Sequence, residues 1–149
     1  MTPQLKHLMN VRVDVGAPCV ISEGTPGRRF IPIVGGVVEG TLSGVVLPGG
    51  GDWQSIGPDG MLDIDAHYTL DVRDHGTVEV QSQGVRSASP AILAALGRGE
   101  PVDPSQYYFR TFIRLRTGAA GLARLNHHLF LAMGAREAGA VRLSVFEIG

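Results

Sequence analysis

Three side chains in this sequence have the chemistry to move a proton on an organic molecule: Asp52, His67 and Arg110. A carboxylate or an imidazole serves as general acid or base, and imidazole needs little tuning because its ordinary pKa is near ~6.5. A guanidinium stays charged at any working pH, so Arg110 can hold an anionic or carbonyl oxygen but is never the base. Trp53, Tyr108 and Asn126 add an aromatic wall and hydrogen-bonding groups. Asp52 is the first choice of proton carrier. It follows LPGGG, where Pro48 ends a strand ladder and the glycines permit a tight turn, and Trp53 beside it would exclude water and raise the carboxyl pKa. His67 alternates with Asp63 and Asp65, a set that could converge on an ion, although the polar face of an alternating strand ordinarily meets solvent. Arg110 has a structural alternative, an ion pair with Asp52 or Asp59.

Other chemistries lack their motifs. There is no HExxH and no cysteine pair, so no metal site is expected. No G-x-S-x-G elbow is present, and the single Cys19 reads as a buried, unreactive thiol. The glycine cluster has no following Lys-Ser/Thr, which a phosphate-binding loop needs, so no nucleotide or other cofactor is expected.

The elements that must position these groups are strands. Gly35–Val46 alternates, with Val38, Leu42 and Val46 on the face that also carries Gly36, Gly40 and Gly44. Read as one bending strand, it turns that glycine face inward and presents Asp52, Trp53 and Gln54 from the turn that follows. Met61–Val72 alternates throughout, placing Leu62, Ile64, Ala66, Tyr68 and Leu70 on one face. Asp74-His75-Gly76 then closes a hairpin onto Thr77–Gln83. Further strands are expected at Met9–Val15, after a possible helical turn at Leu5, and at Cys19–Ile21, Arg28–Val34, Tyr107–Arg116, His127–Arg136 and Ala140–Ile148. The one convincing helix is Pro90–Leu96, with Ser89 as N-cap and Gly97 at its end. Ala119–Leu125 suits one or two helical turns.

About eight or nine strands, one short helix and 21 glycines in turns and bends imply an all-β, antiparallel β-barrel, able to enclose one small ligand. At 149 residues the chain is one domain, 1–149. A net charge of -1 leaves no electrostatic footprint for nucleic acid or an anionic membrane. The N-terminus has no long apolar core and no run approaches the ~18 apolar residues of a membrane span, so a cytoplasmic protein is expected. The expected partners are a small organic molecule and, across an outer barrel face, further copies in a homodimer or higher homo-oligomer.

GRRFIPIVGG, the glycine-spaced strand, LPGGGDWQ, PDG, the AHY triplet, GEPVDPSQYYFRT and a late LN pair stand in this order over roughly Val11 to Ile148. In these the chain resembles the bacterial and fungal family catalogued as domain of unknown function thirty-two thirty-seven. The resemblance implies a barrel of the calycin or allene-oxide-cyclase type and leaves the activity open. It adds Arg29, Gln54 and Tyr68 to Trp53, Tyr108 and Asn126 as the substrate-binding set. Four positions depart from the family pattern: His67 replaces an arginine, Arg116 stands in place of a glutamate, and Leu122 and Arg124 replace aromatics. The combined reading is a cofactor-independent isomerase, cyclase or lyase acting by acid–base chemistry on a small oxygenated substrate. The alternatives are a barrel that only binds a small molecule and, ranked third, an oligomeric structural domain.

Overall fold

The computed structural model describes residues 1–149 and contains ten strands: β1 (Leu5–Val15), β2 (Cys19–Ser22), β3 (Gly27–Gly40), β4 (Gly44–Val46), β5 (Gly50–Ile56), β6 (Leu62–Val72), β7 (Gly76–Ser87), β8 (Tyr108–Arg116), β9 (Phe130–Glu137) and β10 (Ala140–Ile148). All pairings are antiparallel, in the order β1-β10-β9-β8-β7-β6 and then through β4 and β5 to β3. Pairing of β3 with β1 closes the ring, so no edge of it is left open. β4 and β5 share one position between β3 and β6, and β2 lies outside on β3, which leaves a closed barrel of eight staves. No helix is long and apolar enough to cross a membrane.

The expected helix is present as α1 (Pro90–Gly97), capped by the Ser89 hydroxyl, which accepts from the Ile92 amide. Leu96 is buried with Leu62, Ile64, Tyr107 and Phe109, so α1 lies over one end of the barrel. At the other end a 3₁₀ segment, Ala120–His127, inserts Leu122 and Leu125.

Four local expectations are corrected. The alternating stretch Gly35–Val46 is two strands, not one: the chain reverses at Thr41–Ser43, and Val37 and Val38 of β3 pair with Val45 and Gly44 of β4. Gly40 permits the reversal at φ 129, and a side chain there would run into Leu8 and Met9 of β1. Because the missing side chain faces a neighbouring backbone, this glycine allows close approach of strands and does not hollow the interior. Second, Asp52-Trp53-Gln54 lies in the middle of β5, not on a turn; the LPGG loop precedes it, and the ladder resumes at Gly50. Third, Leu5 opens a strand, not a helical turn, because β10 offers it a partner in Ile148. Last, Cys19 is exposed, since β2 lies outside the barrel wall.

The barrel interior divides along its axis. Towards the 3₁₀ end it is solid: Met9, Val38, Leu70, Val78, Val80, Ile113, Leu115, Phe130 and Val145 are almost wholly withdrawn from solvent. Towards α1 the same staves enclose a cavity. In the solid half, strict alternation separates Phe130, fully buried, from Phe112, 68% exposed on the outer face. Phe130→Ala should therefore cost about 3–5 kcal/mol, through lost transfer free energy and a residual hole, whereas Phe112→Ala should stay within about 0.5 kcal/mol. Urea denaturation of the two variants checks this, and comparable losses would mean that the inward face has been misassigned.

Candidate active site

The cavity encloses about 620 Å³ between the solid half and α1. Its walls are mostly apolar, with Ile31, Ile64, Phe109 and Val141 among them, and α1 contributes Leu93 and Leu96 at the mouth. Into this space the alternation of six strands delivers the polar groups: Arg29 from β3, Asp52 and Gln54 from β5, Tyr68 from β6, Ser82 and Arg86 from β7, Thr111 from β8 and Arg136 from β9.

Their hydrogen bonds form three sets. Arg29 Nε donates to Gln54 Oε1 at 2.7 Å, and Gln54 Nε2 donates to Asp52 Oδ2 at 2.6 Å. The neutral amide thus joins a cation and an anion across the registered pair Arg29–Gln54. The other Asp52 oxygen accepts the backbone N–H of Asp65 at 3.0 Å from β6. Ser82 Oγ donates to Thr111 Oγ1 at 2.9 Å in a buried pair. Near the mouth, the Arg136 N–H donates to the Tyr107 hydroxyl at 2.8 Å, and its guanidinium donates to the carbonyls of Glu137 and Ala140. Arg86 Nε is a buried donor with no acceptor in the protein.

Burial tunes these groups. It raises the Asp52 carboxyl above its usual range, against the opposing pull of the hydrogen bonds from Gln54 and the Asp65 amide. Burial, and then the Asp52 carboxylate, push Tyr68 upward, so its phenol stays protonated and remains a donor. Burial, and then repulsion from Arg29 and Arg136, bring Arg86 down to about 10; it is still a cation at neutral pH. Arg29 is lowered by burial and by Arg136, and Arg136 chiefly by burial.

Of the sequence candidates, Asp52, Arg29, Gln54 and Tyr68 meet in the cavity. The other five lie elsewhere. His67 is on the outer face of β6, 57% exposed and 3.4 Å from Glu79. Arg110 is on the outer face of β8, over the exposed Tyr108 ring at 5.0 Å and donating to the Phe109 carbonyl. Trp53 alternates outward between Asp52 and Gln54 and packs on Phe30 with ring centroids 4.6 Å apart. Asn126 braces the loop at the solid end, donating to the Thr117 carbonyl and accepting the Thr117 amide. The four departures from the family pattern also avoid the cavity lining. His67 and Arg116 both approach Glu79 on the outer face, Arg124 pairs with Glu147, and Leu122 fills the solid end.

The residues that sequence reading passed over are Arg86, Arg136, Ser82 and Thr111. The signal for them is parity: Arg86 continues the inward series Val78, Val80, Ser82, and Arg136 continues Phe130, Ala132, Gly134.

Because the Asp52 pKa is raised on folding, the folded protein keeps a proton that the unfolded chain releases near ~3.9. The associated stability is fully present below that pH and is lost as pH rises through the raised folded value. The unfolding free energy of the wild type, taken relative to Asp52→Asn, should therefore decline from about pH 4 and then level off. Urea melts between about pH 4 and pH 8 measure that difference, and a rising one would mean that the two hydrogen bonds outweigh burial.

The site sits in a fold and a sequence with relatives. The chain is 39% identical over 153 residues to a UPF0311 protein of Bradyrhizobium diazoefficiens, covering 99% of both, and 32% identical to a UPF0311 protein of Clostridium acetobutylicum, covering 96% of this chain and 92% of that one. A crystal structure of a protein of unknown function from Rhodopseudomonas palustris superposes with TM-score 0.94 at 36% identity, over 100% of this chain and 99% of that one. A beta-barrel like protein from Acinetobacter baumannii superposes with TM-score 0.86 at 31% identity, over 100% and 98%. An enzyme from Penicillium herquei shares the fold, with TM-score 0.75 at 17% identity over 100% and 96%. With a family model matching residues 3–148, the chain belongs to the family described as protein of unknown function DUF3237.

Proposed function

We propose that the protein is an enzyme that moves a proton on a small oxygenated organic substrate held in the barrel cavity, without a cofactor: an isomerase, cyclase or lyase. The observation that carries this reading is the placement of Asp52. Its carboxyl is raised by burial in an apolar-walled cavity, beside a protonated phenol and several guanidiniums. A carboxyl with a raised pKa is a better match to proton transfer near neutrality, and fixed donors stabilise the negative charge that develops when carbon or oxygen loses its proton.

Asp52 is the proton carrier. Gln54 fixes its orientation and couples it to Arg29. Tyr68 and the arginines face the oxygen on which charge accumulates. Preorganised in a space shielded from water, these donors need little rearrangement as the charge forms. The fold-level likeness to an enzyme agrees with this reading but carries no residue roles. A barrel that binds without reacting is the competing reading, favoured by the apolar wall.

Exchange of substrate protons in D₂O separates the two. The purified protein is incubated with a panel of carbon acids, including β-keto esters, phenolic ketones and α,β-unsaturated ketones, and deuterium incorporation or isomerisation is followed by NMR. Catalysed exchange should occur with at least one member and fall by at least ~10²-fold in a folded Asp52→Asn variant. Binding without exchange across the panel would leave a carrier barrel, and full activity in Asp52→Asn would remove Asp52 from the mechanism.

A further inference from the structure

The chain treats its arginines in two ways. Five of the nine outside the cavity are paired with carboxylates: Arg12 with Asp14 and Glu137, Arg98 with Glu100, Arg116 with Glu79, Arg124 with Glu147 and Arg142 with Glu137. Exposed pairs of this kind contribute little to stability. The three arginines inside the cavity have no ion pair within 4.0 Å, although an unpaired charge costs most where water is scarce. Arg29 is satisfied by a neutral amide, Arg136 by two backbone carbonyls, and Arg86 Nε by nothing in the protein. Asp52 is the only acid lining the cavity, so three positive charges against one negative leave a formal excess of two.

The arginines are also dispersed around the ring. In the order β3, β5, β6, β7, β8, β9, β10, β1, two staves separate Arg29 from Arg86, one separates Arg86 from Arg136, and two separate Arg136 from Arg29. They approach the cavity from three sides. A lone structural ion pair would need one such cation beside one acid, whereas three converging cations form a receptor for negative charge.

Resting on the reading of the cavity as a substrate site, we infer that its ligand carries two negative charges on an apolar body: either two acidic groups or one dianionic group. The two charges balance the interior excess, and the apolar body matches the walls formed by Ile31, Ile64, Phe109 and Val141. Asp52 enters that balance as its carboxylate, the form that accepts a proton, held by Gln54 and the Asp65 amide. A guanidinium fork suits carboxylate and phosphate oxygens equally, so the geometry specifies the charge and not the acid.

Four probes sharing one ring system test this by calorimetry on the intact protein: naphthamide, naphthoate, a naphthalene dicarboxylate and naphthyl phosphate. At least one dianion should bind at least ~10-fold more tightly than the monoanion, with naphthamide weaker still. Preference for the dicarboxylate identifies two acidic groups, and preference for the phosphate identifies one dianionic group. Arg86→Met and Arg136→Met should each abolish the preference, bringing the dianions to within about twofold of naphthoate, with folding checked by circular dichroism. If neither variant folds, the wild-type ratios decide the matter alone. Monoanion and dianions binding within twofold of each other, or both dianions failing to bind at millimolar concentration, would overturn the inference. Deuterium exchange on neutral substrates without a dianion preference would sink this inference and leave the proton-transfer reading intact. A dianion preference without any exchange would do the reverse.

Discussion

Closure of the barrel is the constraint on which everything else depends. Once β3 pairs with β1, every second residue of eight staves is committed to a shared interior, and a one-residue slip would exchange inside for outside along a whole strand. The glycine-assisted reversal between β3 and β4 and the bulge between Asp14 and Val15 let the staves meet without such a slip. What enters the interior is then decided by parity alone. In the half near the 3₁₀ segment, parity delivers Val, Leu, Ile and Phe and the space fills. In the half under α1 it delivers Arg, Asp, Gln, Tyr, Ser and Thr among smaller and apolar residues, and a cavity remains.

Electrostatics inside that cavity follow from the same restriction. Charges introduced by parity cannot turn outward, and neighbouring strands supply the Gln54 amide, backbone carbonyls and one backbone N–H as their immediate partners. The result is an anion held by neutral donors next to cations held by neutral acceptors. A direct contact between Asp52 and a guanidinium would pull the carboxyl pKa down, and the interposed Gln54 side chain keeps them apart. Burial raises the carboxyl, and the absence of a direct guanidinium partner leaves that rise in place.

The fold was largely legible in the sequence because its signals are local. The alternation of β6, the Asp74-His75-Gly76 hairpin, the Ser89 cap with Pro90, and β10 stand where sequence periodicity and turn chemistry put them. The site was legible only in part. Asp52 and Gln54 share the cavity-facing side although their setting is a strand and not a turn, since residues two apart share a face of a strand. Arg110 was chosen for its aromatic neighbours, yet Tyr108, Phe112, Arg114 and Arg116 share its parity and all are exposed. The buried series of β8 is Phe109, Thr111, Ile113 and Leu115. Chemical type drew attention to an arginine on the outer face, whereas parity points to Arg86 and Arg136 as the ones that line the cavity. The split of Gly35–Val46 was not readable from alternation, because a tight reversal can preserve the same apparent period on both of its arms.

The division of the barrel into a solid half and a hollow half has an evolutionary meaning. The packed residues around Phe130 and Leu70 form a foundation that meets the cavity in one shared layer, Val13, Ile33, Ala66, Tyr68 and Leu143. Substitutions at the mouth, in α1 or in the turn around Gly60 can therefore reshape what fits inside while the structural reserve stays largely untouched. Relatives built on this plan are free to diverge in chemistry at little risk to folding. A shared barrel within the family is thus weak evidence for a shared substrate, and the identities at the positions of Arg29, Asp52, Arg86 and Arg136 are the ones to compare before an activity is transferred from one member to another.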